Sequence, residues 1–373
     1  MKHLLATITF VIGIMLVLPA SAQETYSSQE HDFKLVPVAS GLEYPWGMTF
    51  LPNGDALVTE REGQLRMLKD GKLVDEAIKG LPDNIYVAGQ GGLLDVALHP
   101  EFEENKLVYI SYAGKGKGGA NTEIARGRLD DMALKDIEVI FKADPKTQGS
   151  NHYGSRLAFL PDGTLMASLG DRFSYMHQAQ KPSDHLGTII RINDDGSIPE
   201  DNPFVGHESY KPEIYSYGHR NTQGLVVDPS GDRIWQHEHG PKGGDEVNIL
   251  KAGANYGWPA ITYGINYNNE IISEKTHMEG MKQPVIQWTP SIAPCGMDFY
   301  TGDKFPEWQG DIFVGALVQT HLRRLKVEGD QITEQEVLLD GYGRFRDVQT
   351  GPDGYIYVLI DALDGQVLRL EPL

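Results

Sequence analysis

The chain repeats one phrase six times: an apolar strand, a turn carrying Asp, Pro, Asn or Gly, and a second apolar strand. The copies read "GMTFLPNGDALVTE", "LLDVALHPEFEENKLVYISYA", "RLAFLPDGTLMASLG", "GLVVDPSGDRIWQHE", "GMDFYTGDKFPEWQGDIFVGA" and "DVQTGPDGYIYVLID". Each is a hairpin signal, because β-rich residues flank a turn whose residues free the backbone to reverse. From Gly54 in the first turn to Gly354 in the last, the interval averages roughly 60 residues, longer than the ~40–50 of a plain four-stranded blade, so the surplus belongs in loops. Helical periodicity is scarce and Gly and Pro are frequent, which argues against alternating strands and helices. The chain is therefore expected to be all-β, a six-bladed β-propeller forming one domain over residues 23–373, with the loops of one end surrounding a central channel. The early strand "FKLVPVA" (33–39) is expected to complete the last blade and close the ring. A two-sheet β-sandwich array is the rival, and it does not need six similar hairpins.

The first residues, "MKHLLATITFVIGIMLVLPASAQ", combine Lys2, an apolar run from Leu4 to Leu18, and Ala20-Ser21-Ala22. That is the pattern of a signal peptide over residues 1–22, cleaved before Gln23, and it predicts a periplasmic or secreted protein. The alternative, an uncleaved anchor, has a short run for a span, and no later segment is apolar enough for stable membrane insertion. A single cysteine, Cys295, allows no intramolecular disulfide, so stability must come from core burial or metal. Cleavage removes one lysine and no acid, taking the formal charge from −19 to −20. Such a surface repels phosphate backbones, so no nucleic-acid partner is expected, whereas divalent cations and neutral substrates are compatible with it.

Between the hairpins lie segments too rich in Gly, Asn and single charges to be mere connectors: "GQGG" (89–92), "GSNHYGSR" (149–156), "YGHRNTQG" (217–224), "EHGPKGGDE" (238–246) and "GRFRD" (343–347). At equivalent ends of blades they would converge into one polar pocket. His152 can accept a proton near neutral pH, or be an ordinary satisfied histidine. Arg344 and Arg346 are two apart in a strand-like run, so both guanidinium groups point the same way, as a clamp for carboxylates or as surface ion pairs. Arg220 and Asn221 form a second polar pair, for function or for turn chemistry. His237 and His239 alternate on one strand face as zinc ligands would, but spacing places no third ligand. At Gly240 and Pro241 the bent backbone exposes carbonyl oxygens, hard ligands of the kind calcium uses, with Asp245 and Glu246 to supply negative charge; a plain acidic turn is the other reading.

In order and spacing, "GQGGLLDVALHP", "NHYGSRL", "YGHRNTQG", "EHGPKGGDEVN", "NYGWP" and "RFRDVQTGPDG" resemble the soluble, periplasmic aldose sugar dehydrogenases that use pyrroloquinoline quinone (PQQ), within the glucose/sorbosone dehydrogenase family. The resemblance covers roughly residues 35–370 and implies the same six-bladed fold. It implies that His152 is the catalytic base, and that Gln90, Arg220, Asn221, Arg344 and Arg346 contact the quinone oxygens and carboxylates of PQQ. It also implies that the carbonyls of Gly240 and Pro241 hold the calcium ion that chelates PQQ, with Asp245 supporting their loop. By the same analogy Glu246 and the backbone at Tyr256 hold a second, structural calcium, Tyr267 lines the cofactor site, and Trp288 is the candidate sugar contact. One departure stands out: the lysine that follows "GAL" in the family is Val318 here, and His321 and Arg323 are the nearby candidates to replace it.

The chemistry implied is oxidation of the anomeric carbon of an aldose to a lactone, with His152 taking the hydroxyl proton, Arg220 stabilising charge on the quinone oxygen, and electrons passing to an external acceptor. The protein would act as a monomer or homodimer. Two other readings compete. A calcium-dependent lactonase or esterase propeller would bind its metal through Asp, Asn and Glu side chains at the axis and would not need the paired arginines of "RFRD". A non-catalytic binding propeller would need neither His152 nor the arginines, and gains weight if Val318 marks a lost cofactor site.

Overall fold

The computed structural model describes residues 24–373, so the expected signal peptide lies outside the described residues. Six antiparallel sheets follow one another along the chain, five of four strands and one of five. Their innermost strands are Pro45–Phe50, Leu93–Leu98, Gly154–Phe159, Thr222–Val227, Pro294–Phe299 and Phe345–Thr350, which open blades 1 to 6. Each packs on the next, and blade 6 returns to blade 1. In the five-stranded sheet the early strand Asp32–Leu42 pairs with Gly365–Pro372, in a register running from Phe33 opposite Pro372 to Leu42 opposite Gly365. This is the ring closure expected of "FKLVPVA", and the molecule is the expected six-bladed propeller.

The six repeated phrases are the first two strands of the six blades. Five of their turns reverse through glycines in the left-handed region, such as Gly54 (φ 89°) and Gly163 (φ 83°), where open space surrounds the missing side chain and the backbone angle alone demands glycine; that of blade 2 reverses through Lys106 (φ 56°). Second strands such as Ala56–Glu60 and Leu165–Leu169 are buried at every residue, because a blade is covered on both faces by its neighbours. That is why they read as continuous apolar runs rather than alternating ones. Six apolar clusters fill the six blade interfaces; Phe33, Trp308, Phe313 and Val358, for example, seal blade 5 to blade 6. No helix among the described residues is long and apolar enough to cross a membrane.

Every innermost strand carries a β-bulge against its partner near its start. The third residues of these strands are Gly47, Asp95, Arg156, Gly224, Gly296 and Asp347. They form one layer around the axis with a single guanidinium at its centre. From blade 3, Arg156 Nη1 reaches Asp347 Oδ1 at 2.8 Å and Asp95 Oδ1 at 3.4 Å, Nε donates to the Gln223 carbonyl at 2.8 Å, and Nη2 donates to the Arg346 carbonyl at 3.0 Å. Nη2 also lies 3.7 Å from Cys295 Sγ, and the guanidinium sits 4.2 Å above the Trp46 ring. One side chain thus touches the innermost strands of all five other blades. Glycine is required in this layer: a Cβ on Gly47 would stand 2.5 Å from Asp95 Oδ1, and one on Gly296 2.7 Å from Asp347 Oδ1.

Burial pushes the Asp95 and Asp347 carboxyls up, Asp347 to about 7, against the pull of Arg156. Removing Arg156 leaves two buried carboxyls without their cation. Arg156→Met is expected to lower the unfolding free energy by about 3–5 kcal/mol, read from denaturant midpoints. A carboxyl whose folded pKa is raised loses stability as pH rises, so the deficit should shrink towards pH 5. A deficit independent of pH would remove the two aspartates from the explanation.

Candidate active site

The chain enters each innermost strand at one end of the channel, and the loops after the second strands return to that same end. The glycine-rich segments therefore gather there, while the repeated turns lie at the other. The mouth is lined by Trp46, Arg61, Gln90, Asn221, Arg344 and Arg346, with Tyr153, Gly154 and His239. Gln90, Asn221, Arg344 and Arg346 are thus brought together as expected.

His152 stands two residues before the first strand of blade 3, buried and in the left-handed region at φ 54°. Its backbone N–H donates to Gln90 Oε1 at 2.8 Å, and its Nδ1 lies 2.7 Å from Asp171 Oδ1. Asp171, after the second strand of the same blade, also accepts the Trp258 indole N–H at 2.8 Å and the Phe173 backbone N–H at 2.8 Å. An ionised carboxylate can only accept, so Nδ1 carries the proton and Nε2 is the free, basic nitrogen. Burial, and next the Arg220 charge, lower the His152 pKa, partly offset by Asp171; the ring is neutral at neutral pH. Burial acts to raise Asp171, but His152, Arg220 and the Phe173 N–H together hold the carboxyl below its usual range. The unfavourable backbone is held by Arg172, itself at φ 58°, whose guanidinium binds the carbonyls of Gly149, Asn151 and His152 and stacks 3.6 Å over Tyr153.

The arginine clamp is built on blade 6. Asp361 Oδ2 accepts from Arg346 Nη2 at 2.7 Å and from Arg344 Nη2 at 3.0 Å, and Arg344 Nη1 donates to the Leu317 carbonyl at 2.8 Å. The buried Arg346 Nε has no partner. Two guanidinium groups sharing one carboxylate leave a net positive mouth on an acidic protein, and the orphaned N–H needs an acceptor. This donor set fits an anion bearing several carboxylates, as PQQ does.

On blade 4 the segment 238–246 folds sharply over itself. A Cβ on Gly240 would lie 2.2 Å from the Gly243 carbonyl. Asp245 pins the bend by accepting N–H groups from Gly240 at 2.7 Å, Ile292 at 2.7 Å and Ala293 at 3.0 Å, and the Ser291 hydroxyl at 2.8 Å. Burial raises its pKa to about 6 against these bonds. Arg220 Nη1 donates to the carbonyls of His239 and Gly240, both at 2.9 Å, which leaves each oxygen a second lone pair for a cation. Beneath the bend Glu246 pairs across strands with Glu238, and burial, then the Glu238 charge, pushes its pKa up to about 8. Both border a cavity of about 10 Å³, beside Tyr256 and Gly240. That is room for one ion or water, and two apposed acids, one buried and one half-buried, are the chemistry that calls for a cation.

Other expectations need correction. Trp288 is buried in the blade 4–5 core, its indole N–H donating to Gln335 Oε1 at 2.8 Å, so it does not face the mouth. Arg323 lies on the third strand of blade 5, stacked 5.5 Å from the Trp288 ring, and its Nε bonds His321 Nε2 at 3.2 Å. Neither Arg323 nor His321 lines the mouth to stand in for a lysine at 50% exposed Val318. His237 and His239 bond the carbonyls of Gly296 at 2.9 Å and Pro294 at 2.8 Å; they tie blade 4 to blade 5. Tyr267 meets Arg220 Nη2 at 3.4 Å and stacks 6.2 Å from Phe173, an aromatic rim of which only Tyr267 was foreseen. Asp171, Trp258, Arg172, Asp361 and Arg61 were also unassigned.

A buried histidine–carboxylate pair beside clustered guanidinium groups, at the mouth of a propeller, defines a catalytic propeller whose mouth suits an anionic bound group. The chain belongs to the glucose/sorbosone dehydrogenase family, whose pattern matches residues 42–369. It is 43% identical over 338 residues to the aldose sugar dehydrogenase YliI of Escherichia coli K12, covering 89% of this chain and 91% of that one. It superimposes on a crystal structure of a glucose dehydrogenase with a TM-score of 0.88 at 43% identity, covering 90% of this chain and 99% of that one. With the PQQ-bound aldose sugar dehydrogenase of Streptomyces coelicolor the TM-score is 0.76 at 28% identity, over 91% and 98% of the two chains.

Asp245→Ala would orphan three backbone N–H groups, each costing about 1–3 kcal/mol when left buried. The expected result is a destabilised protein with fast amide exchange over 238–246, whereas the mouth at Arg344 and Arg346 keeps its protection. Unchanged exchange in that segment would refute the pinning role.

Proposed function

We propose that this protein is an exported, calcium- and PQQ-dependent aldose dehydrogenase that oxidises the anomeric carbon of an aldose to the lactone and delivers the electrons to an external acceptor. The observation that carries the reading is the His152–Asp171 pair beside an arginine-lined mouth. The relatives support it: one is an aldose sugar dehydrogenase and another is a PQQ-bound one. The leader-like residues 1–22 support export to the periplasm.

Arg344 and Arg346 would hold the carboxylates of PQQ, with Gln90, Asn221 and Arg220 at its polar edges. The carbonyls of Gly240 and Pro241 would hold its calcium, and Glu246 with the Tyr256 backbone a second one. When bound, PQQ with calcium supplies an electrophilic quinone that accepts the sugar's electron pair. The chain's own part is proton transfer and positioning. His152 Nε2 takes the proton of the anomeric hydroxyl, and the Nδ1–H bond to Asp171 stabilises the imidazolium that results. Burial keeps that imidazole neutral beforehand. Phe173 and Tyr267, 43% and 54% exposed, offer the apolar rim against which a sugar face packs. A calcium-dependent hydrolase would need its cation on the axis, where the Arg156 guanidinium stands.

Dye reduction by the purified protein should require calcium, PQQ and an aldose together. His152→Ala should retain PQQ and lose turnover by a factor of about a hundred or more; unchanged turnover would remove His152 from the mechanism. Because the folded pKa of His152 lies below 6.5, the acid limb of kcat/KM should fall below that pH. Asp171→Asn removes a charge that raises this pKa, so turnover should drop and the limb should move further down. A limb that moves up would contradict the pairing.

A further inference from the structure

A third guanidinium lines the mouth, and among the described residues its ion-pair partner is the exposed Glu62 rather than a carboxylate inside the pocket. Arg61 follows the second strand of blade 1 and shares the pocket with Gln90, Arg344 and Arg346. Its backbone is fixed: the N–H donates to the Tyr44 carbonyl at 3.1 Å and its carbonyl accepts from Leu93 at 3.2 Å. Only glycine fits at position 92, where a Cβ would stand 1.8 Å from that carbonyl. The guanidinium lies 4.5 Å over the Tyr44 ring. Tyr44 in turn donates its N–H to Ala362, next to Asp361 of the arginine clamp, at 2.8 Å. Arg61 is thus held beside Arg344 and Arg346 but, unlike them, does not share Asp361. Its acidic neighbour Glu62 is 3.6 Å away, with an exposed side chain.

Charge decides the role. On the clamp side of the mouth Arg344, Arg346 and Asp361 sum to one positive charge, and Val318, next to the Leu317 carbonyl that Arg344 holds, adds none, while Arg220 and the calcium-binding carbonyls belong to blade 4. We propose that Arg61 is a cofactor-binding residue, which supplies to a PQQ carboxylate the cationic contact that Val318 does not. The assignment rests on the PQQ reading given above and adds a residue to it.

The test is a fluorescence titration of calcium-loaded protein with PQQ, so the readout is affinity, not activity. Arg61→Gln should weaken binding by about ten- to a hundredfold, the effect of losing one charge-assisted contact. Arg61→Lys should stay close to wild type and also covers the case that the glutamine variant folds poorly. In the Arg61→Gln background, Val318→Lys should recover part of the loss and restore the salt dependence. An Arg61→Gln affinity equal to wild type overturns the assignment, as does an unchanged PQQ affinity with a raised aldose KM, which would give the guanidinium to the sugar. Wild-type protein that takes up no PQQ refutes the functional reading itself, and this assignment with it.

Discussion

The Arg156 guanidinium is the contact on which the ring depends. A propeller has an axis that its blades cannot fill with apolar side chains, because the innermost strands turn unpaired backbone groups inwards. Here one cation satisfies three carbonyl or carboxylate acceptors at 2.8–3.0 Å and packs on Trp46, so a single group tells the blades where the centre is. Three glycines and two aspartates in the same layer exist to make room for it or to balance it. The hub is tied to the mouth through Arg346, whose carbonyl Arg156 holds and whose side chain reaches Asp361.

The two ends of the channel answer to different physics. At one end are six turns, governed by local backbone geometry. At the other are loops whose shape is imposed by long-range contacts, and there non-glycine residues occupy the left-handed region: Tyr44, His152, Arg172 and Phe173. Such conformations persist only where surrounding bonds over-determine them. The His152 carbonyl, for instance, is held by Arg172 and faces Gly170, where a Cβ would approach within 2.1 Å. His152 is presented by a loop with little freedom to move.

This division explains what was legible in the sequence. Turn chemistry is local, so the six hairpins, the blade count and the closing strand could be read directly. Gly-rich segments gave the set of mouth residues, because close backbone approach leaves a compositional mark. Asp171 and Asp361 left none: each is one charged residue after a second strand, and its partner lies elsewhere in sequence. Trp288 and Arg323 were misread because nearness in sequence to a site residue says nothing about a blade's third and fourth strands, which run away from the axis. Val318 was legible as a missing charge, but the residue proposed to compensate it, Arg61, lies some 250 residues earlier, on the other side of the blade 6 clamp.

The closing strand carries a consequence of another kind. Phe33 pairs with Pro372, so the last sheet is assembled from opposite ends of the described chain. Such a pairing has to meet a large loop-closure entropy before it contributes, which makes ring closure a late event in folding. Until then the strand Gly365–Pro372 presents an open edge that any other extended chain can cap. The same clasp that makes the finished ring one cooperative unit is thus the point at which two unfinished copies would exchange strands.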